Sequence, residues 1–487
     1  MASRLSHPHP ADFVVTANRL PVDITRTADG GITASPSPGG LVTALRPVLK
    51  THHGHWVGWN GQIAGDPQDP PVALGPCDGL SVVQVQLDED DYRLFYEGMS
   101  NATLWPLYHD RIVEPVYNPQ WFSRYRKVNR RYAHHTAAVA APGATVWVQD
   151  YQLQLVPGML KKLRPDIRCG FFCHIPFPSP DLFSQLPWRE EILSGLLQAD
   201  LIGFHLVDCA KNFLATVQRT FPAARVAGTP SCFAATASVT GTDGHTSAVG
   251  AFPISIDTAT VVEQAAATDP ESLRRQLGDP RLVITGVDRM DYTKGILQRL
   301  QAFEQLLDSA ELDPEHTVFV QVATPSRERL EHYRATRREV EQAVGRINGR
   351  FGTIGHPVVH YLHGTLPAEK LYQLYRATDV MVVNAFKDGM NLVAKEFVAC
   401  HTDGSGALVL SEFTGAAREL TQAHLINPHA PEDLPRAMAA AAAEMTAHPD
   451  AAAARMHAMA ETVRNCDVTW WAQKFLSCLL SPKGTSL

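Results

Sequence analysis

Short apolar runs recur along this 487-residue chain, each stopping at a polar or ring-bearing residue and leading into a segment of helical length. Residues 13–16 open the series and run into NRLP, and ATVWVQD, CGFFCHIP and ADLIGFH follow. The rhythm restarts after residue 250 with RLVITGVDR, TVFVQVATPSR, DVMVVNAFKDG, GALVLSEFTG and HLINPHA. Continuous apolar runs between amphipathic helices mark parallel βαβ units, whose strands are buried on both faces. The chain therefore reads as two doubly wound α/β halves meeting near residue 250. Residues 41–50, 156–163 and 208–220 read as helices, and residues 228–245, polar and weakly periodic, as an irregular or hairpin insertion. At 45% hydrophobic, the composition supplies two full cores and excludes a disordered or fibrous chain.

The start, MASRLSHPHPADF, has no apolar stretch of the secretory kind, and no run approaches the ~20 apolar residues of a membrane span. The Ala-rich stretch 437–460 is broken by charges and Pro449 and reads as soluble helices. A net charge of −7 argues against a nucleic-acid binder while allowing a small phosphorylated ligand. The eight cysteines are scattered without a CxxC pair, so the cytoplasm is the expected compartment. Cys169, Cys173 and His174 are the nearest approach to a zinc motif, but strand alternation turns Cys173 and His174 to opposite faces and no metal is expected.

In doubly wound sheets ligands bind beyond the carboxyl ends of the strands, and this chain puts its chemically loaded residues there. Gly39 and Gly40 end a loop before a helix, where backbone N–H groups can face an anion or form a plain turn. In TGVDRMDYTKG, Arg289 and Lys294 flank a turn and can converge on one phosphate; pairing of Arg289 with Asp288 or Asp291 is the alternative. Arg327 ends the next strand. In FKDGMNLVAKEFVAC, Asp388 can accept from sugar hydroxyls, the N–H groups near Asn391–Val393 can hold a phosphate, and Glu396 can accept from a ribose diol; a plain turn and a solvated helix face account for the same residues. Asp150 and His174 close apolar runs in the first half, Arg19 follows FVVTAN, and Trp59, Tyr96 and Trp105 are rings for sugar stacking or core packing. The sum describes sugar-phosphate chemistry between two α/β domains.

NRLP, PGGL, WVGWNG, SNATLWPLYH, QDYQL, FFCHIPFPSPDLF, DRMDYTKG, GRINGRFG, KDGMNLVAKEFVAC and LSEFTGAA occur in this order from about Phe13 to about Leu479. By these motifs the sequence resembles the retaining trehalose-6-phosphate synthases, which join glucose from a nucleotide sugar to glucose 6-phosphate. The resemblance implies a GT-B glycosyltransferase fold, two Rossmann-like doubly wound domains facing across a cleft. It implies an acceptor domain over residues 1–250, a donor domain over 251–465, and a C-terminal helix in 466–487 packing back on the first domain.

Matched motif by motif, the resemblance implies that Arg19, Trp59, Tyr96, Trp105, Asp150 and Arg327 form the glucose 6-phosphate pocket. It implies Arg289 and Lys294 as the clamp on the donor diphosphate, with Gly40 close by. His174, Asp388, Gly389, Met390 and Asn391 would touch the transferred glucose, Leu392 and Val393 would supply backbone donors, Glu396 would take the ribose, and Thr365 would lie at the base pocket. Asp150, His174, Arg289, Lys294 and Asp388 are the implied catalytic group, acting by front-face substitution without metal or other cofactor. The implied partners are UDP-glucose or GDP-glucose and glucose 6-phosphate, with no membrane or nucleic acid and with a homo-oligomer left open. Gln149 and Gln152 stand where histidines are common in the family, as do His205 for glutamine, Ser255 for glycine, and Phe386 and Lys387 near the base end. A pseudo-glycosyltransferase joining cyclitols and a catalytically silent sugar-phosphate sensor are the alternatives.

Overall fold

The computed structural model describes residues 9–26, 32–36, 42, 45, 49, 54–64, 72–77 and 80–481. They divide into two compact units, Met1–Ile254 with Thr469–Leu487, and Ser255–Val468. Each is an α/β unit built on a parallel sheet.

The first unit carries a ten-stranded sheet. In spatial order its strands are Arg225–Gly228, Ala237–Thr240, Thr246–Ala251, Leu201–Phe204, Arg168–Cys173, Ala140–Gln149, Ala11–Arg19, His55–Trp59, Leu80–Gln84 and Val72–Cys77. The centre is parallel, while both margins are antiparallel: Val72–Cys77 on one side, and on the other the hairpin that the polar stretch 228–245 helps to form. Those polar residues sit at a sheet edge, where one face meets water and apolar continuity is not needed. Residues 42, 45 and 49 of LVTALRPVLK are helical, with Leu45 and Leu49 buried one turn apart.

The second unit carries a six-stranded, wholly parallel sheet, ordered Val359–Leu362, Thr317–Thr324, Leu282–Arg289, Val380–Val383, Ala407–Ser411 and His424–Ile426. Its order runs outward in both directions from Leu282–Arg289, so the switch point lies between that strand and Val380–Val383. These two strands lead into the turns that hold Lys294 and Asp388. The Ala-rich stretch forms two helices, Asp433–Ala447 and Pro449–Asn465, and Pro449 starts the second, where its missing N–H costs nothing.

The last helix, Val468–Leu480, belongs to the first unit from Thr469 onward. Phe475 stacks flat on Trp147 with centroids 4.4 Å apart, and Trp471 packs on the same ring at 5.1 Å. The Trp471 indole N–H donates to the Phe252 carbonyl at 3.0 Å, so its burial leaves no donor stranded. Among the described residues no helix is long and apolar enough to cross a membrane. No group of three or more His, Cys, Asp or Glu among them is arranged to hold a metal ion.

Candidate active site

In the first unit, the candidate residues sit where the parallel strands end. Arg19 closes the central strand Ala11–Arg19, with its carbonyl accepting from the Trp56 indole at 2.9 Å and the next residue's N–H bound to the Trp59 carbonyl at 2.8 Å. Its guanidinium lies over the Trp59 ring, 5.1 Å from the centroid. Gly61, at φ +87°, makes room for it: a Cβ there would fall 1.8 Å from Arg19 Nη1. Trp59 is buried and meets Tyr92 and Tyr96 at 5.7 and 5.9 Å, and the two tyrosines stack at 5.4 Å. Both tyrosines ride on the π-wound helix Asp91–Leu104. Tyr92 is a ring of this wall that motif reading passed over, although its spacing from Tyr96 was a usable signal.

Trp105 follows that helix, stacked on His109 at 4.1 Å and against Tyr151 at 5.7 Å. Tyr151 brings the wall to Asp150, whose φ of +73° is strained for a residue with a Cβ. That conformation is held from the neighbouring strand: Asp150 N–H donates to the Phe172 carbonyl at 2.7 Å, and its Oδ1 accepts from the His174 N–H at 3.0 Å. His174 Nε2 lies 2.8 Å from Gln149 Oε1, and its ring sits 5.2 Å from His205. Burial, helped by His205, holds the His174 imidazole well below its ordinary pKa, so it is neutral. Arg19, Trp59 and Tyr96 thus form one cluster, and Trp105, Asp150 and His174 a second that is continuous through Tyr151.

In the second unit, the turn after Leu282–Arg289 carries Lys294 on a short 3₁₀ segment, Tyr292–Lys294. The Lys294 ammonium is buried and donates to Asp388 Oδ2, which also accepts from Asn391 Nδ2 at 3.1 Å. Asn391, at φ +80°, caps the helix Leu392–Cys400 by accepting from the Ala394 N–H at 3.0 Å. The N–H groups of Leu392 and Val393 precede the first intrahelical bonds, as an anion-binding helix start requires. Met390 and Gly389 are pinned from behind: the Met390 carbonyl accepts from the Ala416 N–H at 2.8 Å, and Gly415 lies against the Gly389 carbonyl. The strand-end turn is thus a built cradle.

Arg289 is exposed, and each of its two neighbouring carboxylates also meets a buried arginine. Asp288 pairs with Arg299 at 2.6 Å, and Asp291 with Arg327 at 3.2 Å. Burial pushes the Asp291 carboxyl up, but Arg327, Arg289 and Lys294 outweigh it and hold it below the usual range. Three cations therefore converge on one carboxylate. Arg327, grouped by motif with the residues of the first unit, lies in the second, buried, at φ +49°, with Nη1 also donating to the Tyr333 hydroxyl. The sequence offers Asp291 only as a partner for Arg289, and spacing does not show that it is fully buried in the turn.

Glu396 lies one helical turn past Leu392, partly buried, and accepts from the Tyr375 hydroxyl at 3.2 Å. Burial pushes its carboxyl up to about 7, against the Tyr375 bond. Thr365 is exposed on the loop after Val359–Leu362, which is tied to the neighbouring strand by the Thr324 hydroxyl donating to the Gly364 carbonyl at 3.4 Å. Gly40 lies outside the described residues.

Three comparisons place this geometry among known proteins. A trehalose-6-phosphate synthase of Mycolicibacterium vanbaalenii is 53% identical over 477 residues, covering 97% of this chain and 96% of that one. A UDP-forming alpha,alpha-trehalose-phosphate synthase of Burkholderia vietnamiensis superposes with a TM-score of 0.87 at 33% identity, covering 98% of both chains. A structure from E. coli bound with UDP-2-fluoro glucose superposes with a TM-score of 0.85 at 30% identity, covering 96% of this chain and 98% of that one. The fold is GT-B. With the family model matching residues 11–481, the chain belongs to Glycosyltransferase family 20.

Proposed function

We propose that this glycosyltransferase moves glucose from a nucleoside diphosphate glucose to glucose 6-phosphate, giving α,α-trehalose 6-phosphate with retention at the transferred carbon. The observation that carries this reading is the assembly of Lys294, Asp388 and Asn391 at a helix start, with Arg289 at the end of the strand that leads into the Lys294 turn. It offers cations and backbone donors to a diphosphate and a carboxylate to sugar hydroxyls. The similarity to the E. coli structure holding UDP-2-fluoro glucose, and to a Burkholderia xenovorans synthase in complex with glucose-6-phosphate, supports both ligand classes.

In this mechanism the donor C1–O bond breaks with its electron pair passing to the β-phosphate oxygen. The acceptor's 1-hydroxyl forms the new C1–O bond on the same face, and its proton passes to that phosphate oxygen. Arg289 and Lys294 stabilise the charge growing on the leaving group, the kind of preorganised field that contributes most to lowering a barrier. Asp388 accepts from hydroxyls of the transferred glucose, and Glu396 from the ribose. His174, being neutral, can hydrogen-bond a sugar without placing positive charge near an oxocarbenium-like carbon. Arg19, Trp59, Tyr96, Trp105 and Asp150 take glucose 6-phosphate, and Arg327 serves as a phosphate-binding cation at Asp291. Neutralisation falls to the two cations, and no metal is assigned a step.

The donor base is proposed as uracil or guanine. Purified protein with glucose 6-phosphate and UDP-, GDP- or ADP-glucose, followed by nucleoside diphosphate release and disaccharide analysis, decides it. Trehalose 6-phosphate from UDP- or GDP-glucose is expected. Silence with every donor, from folded protein that binds glucose 6-phosphate, would refute the transfer reaction.

A further inference from the structure

Beneath the Lys294 turn lies an arginine that the proposed chemistry does not use. Arg299, on the helix Ile296–Asp308, is fully buried. Its Nε donates to Asn384 Oδ1 at 2.7 Å, its Nη2 donates to the Lys294 carbonyl at 2.8 Å, and the same Nη2 lies 2.6 Å from Asp288 Oδ2. Asn384, also buried, returns its Nδ2–H to the Gly295 carbonyl at 2.8 Å. Gly295 sits at φ +65°, and a Cβ there would meet Asn384 Nδ2 at 2.6 Å, so the turn is pressed against that amide. From the other side, the Lys294 N–H is bound to the Asp291 carbonyl at 3.1 Å. Gly286 completes the fit, since a Cβ there would strike Arg299 Nη1 at 2.3 Å.

We propose that Arg299, together with Asn384, is a positioning residue for the Lys294 ammonium: it fixes the two carbonyls that end the turn and thereby sets where Nζ stands for the donor diphosphate. The inference rests on the reading of Lys294 as the diphosphate clamp. A guanidinium wholly withdrawn from water is an expensive way to stabilise a core, because a hydrophobe of the same volume usually does as well. The planar fork does what a hydrophobe cannot, joining three separate segments at fixed angles. Displacement of a catalytic group by about 1 Å can cost ~10²-fold in rate.

The test compares Arg299→Met, Arg299→Lys, Lys294→Ala and the double variant Lys294→Ala/Arg299→Met. Calorimetric titration with UDP and with GDP is run alongside steady-state kinetics and thermal melts. For folded Arg299→Met the expected result is a Kd for the preferred diphosphate raised about tenfold or more. Its kcat/KM for the donor sugar falls by about 10²-fold and its KM for glucose 6-phosphate does not change, with Arg299→Lys between it and the wild type. The double variant binds no worse than Lys294→Ala. A purely structural role would lower the binding stoichiometry and kcat while leaving Kd untouched, and that result overturns the proposal. Wild-type binding by Lys294→Ala refutes the clamp reading instead; if Arg299→Met still loses affinity there, its effect does not run through Lys294 and the proposal falls too. Should Arg299→Met fail to fold, Asn384→Asp keeps the acceptor for Arg299 but removes the donor to Gly295. It is expected to show the same split, and wild-type affinity in it overturns the proposal.

Discussion

Glu396 gives the sharpest prediction, because one carboxyl should move binding and stability in opposite directions. Buried beside Tyr375, it titrates at about 7 where an ordinary glutamate would titrate near 4.5. As a carboxylate it can accept from both hydroxyls of a ribose diol; protonated, it loses half of that capacity. A pKa of about 7 leaves roughly 90% ionised at pH 8 and roughly 10% at pH 6. The KM for the donor sugar should therefore rise about tenfold from pH 8 to pH 6. Burial holds the His174 imidazole well below its ordinary pKa, and Glu396→Gln isolates the share of the slope that belongs to the carboxyl. Glucose 6-phosphate, whose phosphate has a second pKa near 6, must be held saturating so that its own titration does not enter.

Stability runs the other way. A carboxyl with a raised folded-state pKa contributes fully below the unfolded value and loses that contribution as pH rises through the folded one. The move from the ordinary 4.5 to about 7 corresponds to at most ~3.4 kcal/mol, and partial exposure brings the expectation to about 1–3 kcal/mol above pH 7. Glu396→Gln should thus melt about 2–10 °C above the wild type at pH 8 and with it at pH 4. In the same variant the donor KM should be higher at pH 8 and flat with pH. A wild-type donor KM that is flat between pH 6 and pH 8, or a slope that survives in Glu396→Gln, would refute the reasoning.

Further outcomes follow from the same geometry. Lys294→Ala should lower kcat by about 10²–10³-fold, since it removes the ammonium from the leaving-group side, and near-normal turnover would exclude the clamp. Gly61→Ala would drive a methyl into Arg19 and strain a positive φ. It should raise the glucose 6-phosphate KM about tenfold and cost about 1–2 kcal/mol in denaturant unfolding; an unchanged KM would remove Arg19 from the acceptor set. Phe475→Ala should cost about 3–5 kcal/mol by opening a cavity against Trp147, read as a loss of roughly 10 °C or more in the melt; a small shift would mean that the last helix is not part of the first unit's core.

The alternation of apolar runs and amphipathic segments was enough to read the parallel centre of the first sheet around Ala11–Arg19, Ala140–Gln149, Arg168–Cys173 and Leu201–Phe204 and five of the six strands of the second, because strands buried on two faces read as continuous apolar runs. His55–Trp59, Leu80–Gln84, Val72–Cys77 and Val359–Leu362 were not read. The Leu392–Cys400 helix was legible in the same way, from a DG turn followed by helical composition. What escaped were contacts that close across the sheet. Asp288 and Asp291 stand three residues apart and look interchangeable as partners for Arg289, yet each also pairs with a different buried arginine, Arg299 and Arg327. No local spacing encodes a pairing with a residue 36 positions away on another strand end. The resemblance gave Arg327 a role but gave none to Asp291, although DRMDYTKG contains it, and Tyr92 and Asn384 carried no motif at all. The positive φ of Asp150 was equally invisible, since its support is a hydrogen bond that its N–H donates to the neighbouring strand.

Those cross-sheet pairs bear on how an anion can be bound at all. Three aspartates of the second unit, Asp288, Asp291 and Asp388, each hold a cation: Arg299, Arg327 and Lys294. Such pairing spends attraction that a diphosphate would otherwise receive, which at first sight weakens the site. It also means that the cations stand in place before the ligand arrives, so little reorganisation remains when charge develops on the leaving group. An ammonium has three donors and can keep Asp388 while meeting phosphate oxygens, and Arg289 presents an exposed guanidinium at the end of its strand. The carboxylates therefore set geometry and Arg289 sets attraction. On this division, removing an aspartate should harm turnover more than it harms diphosphate affinity, and removing Arg289 should harm both.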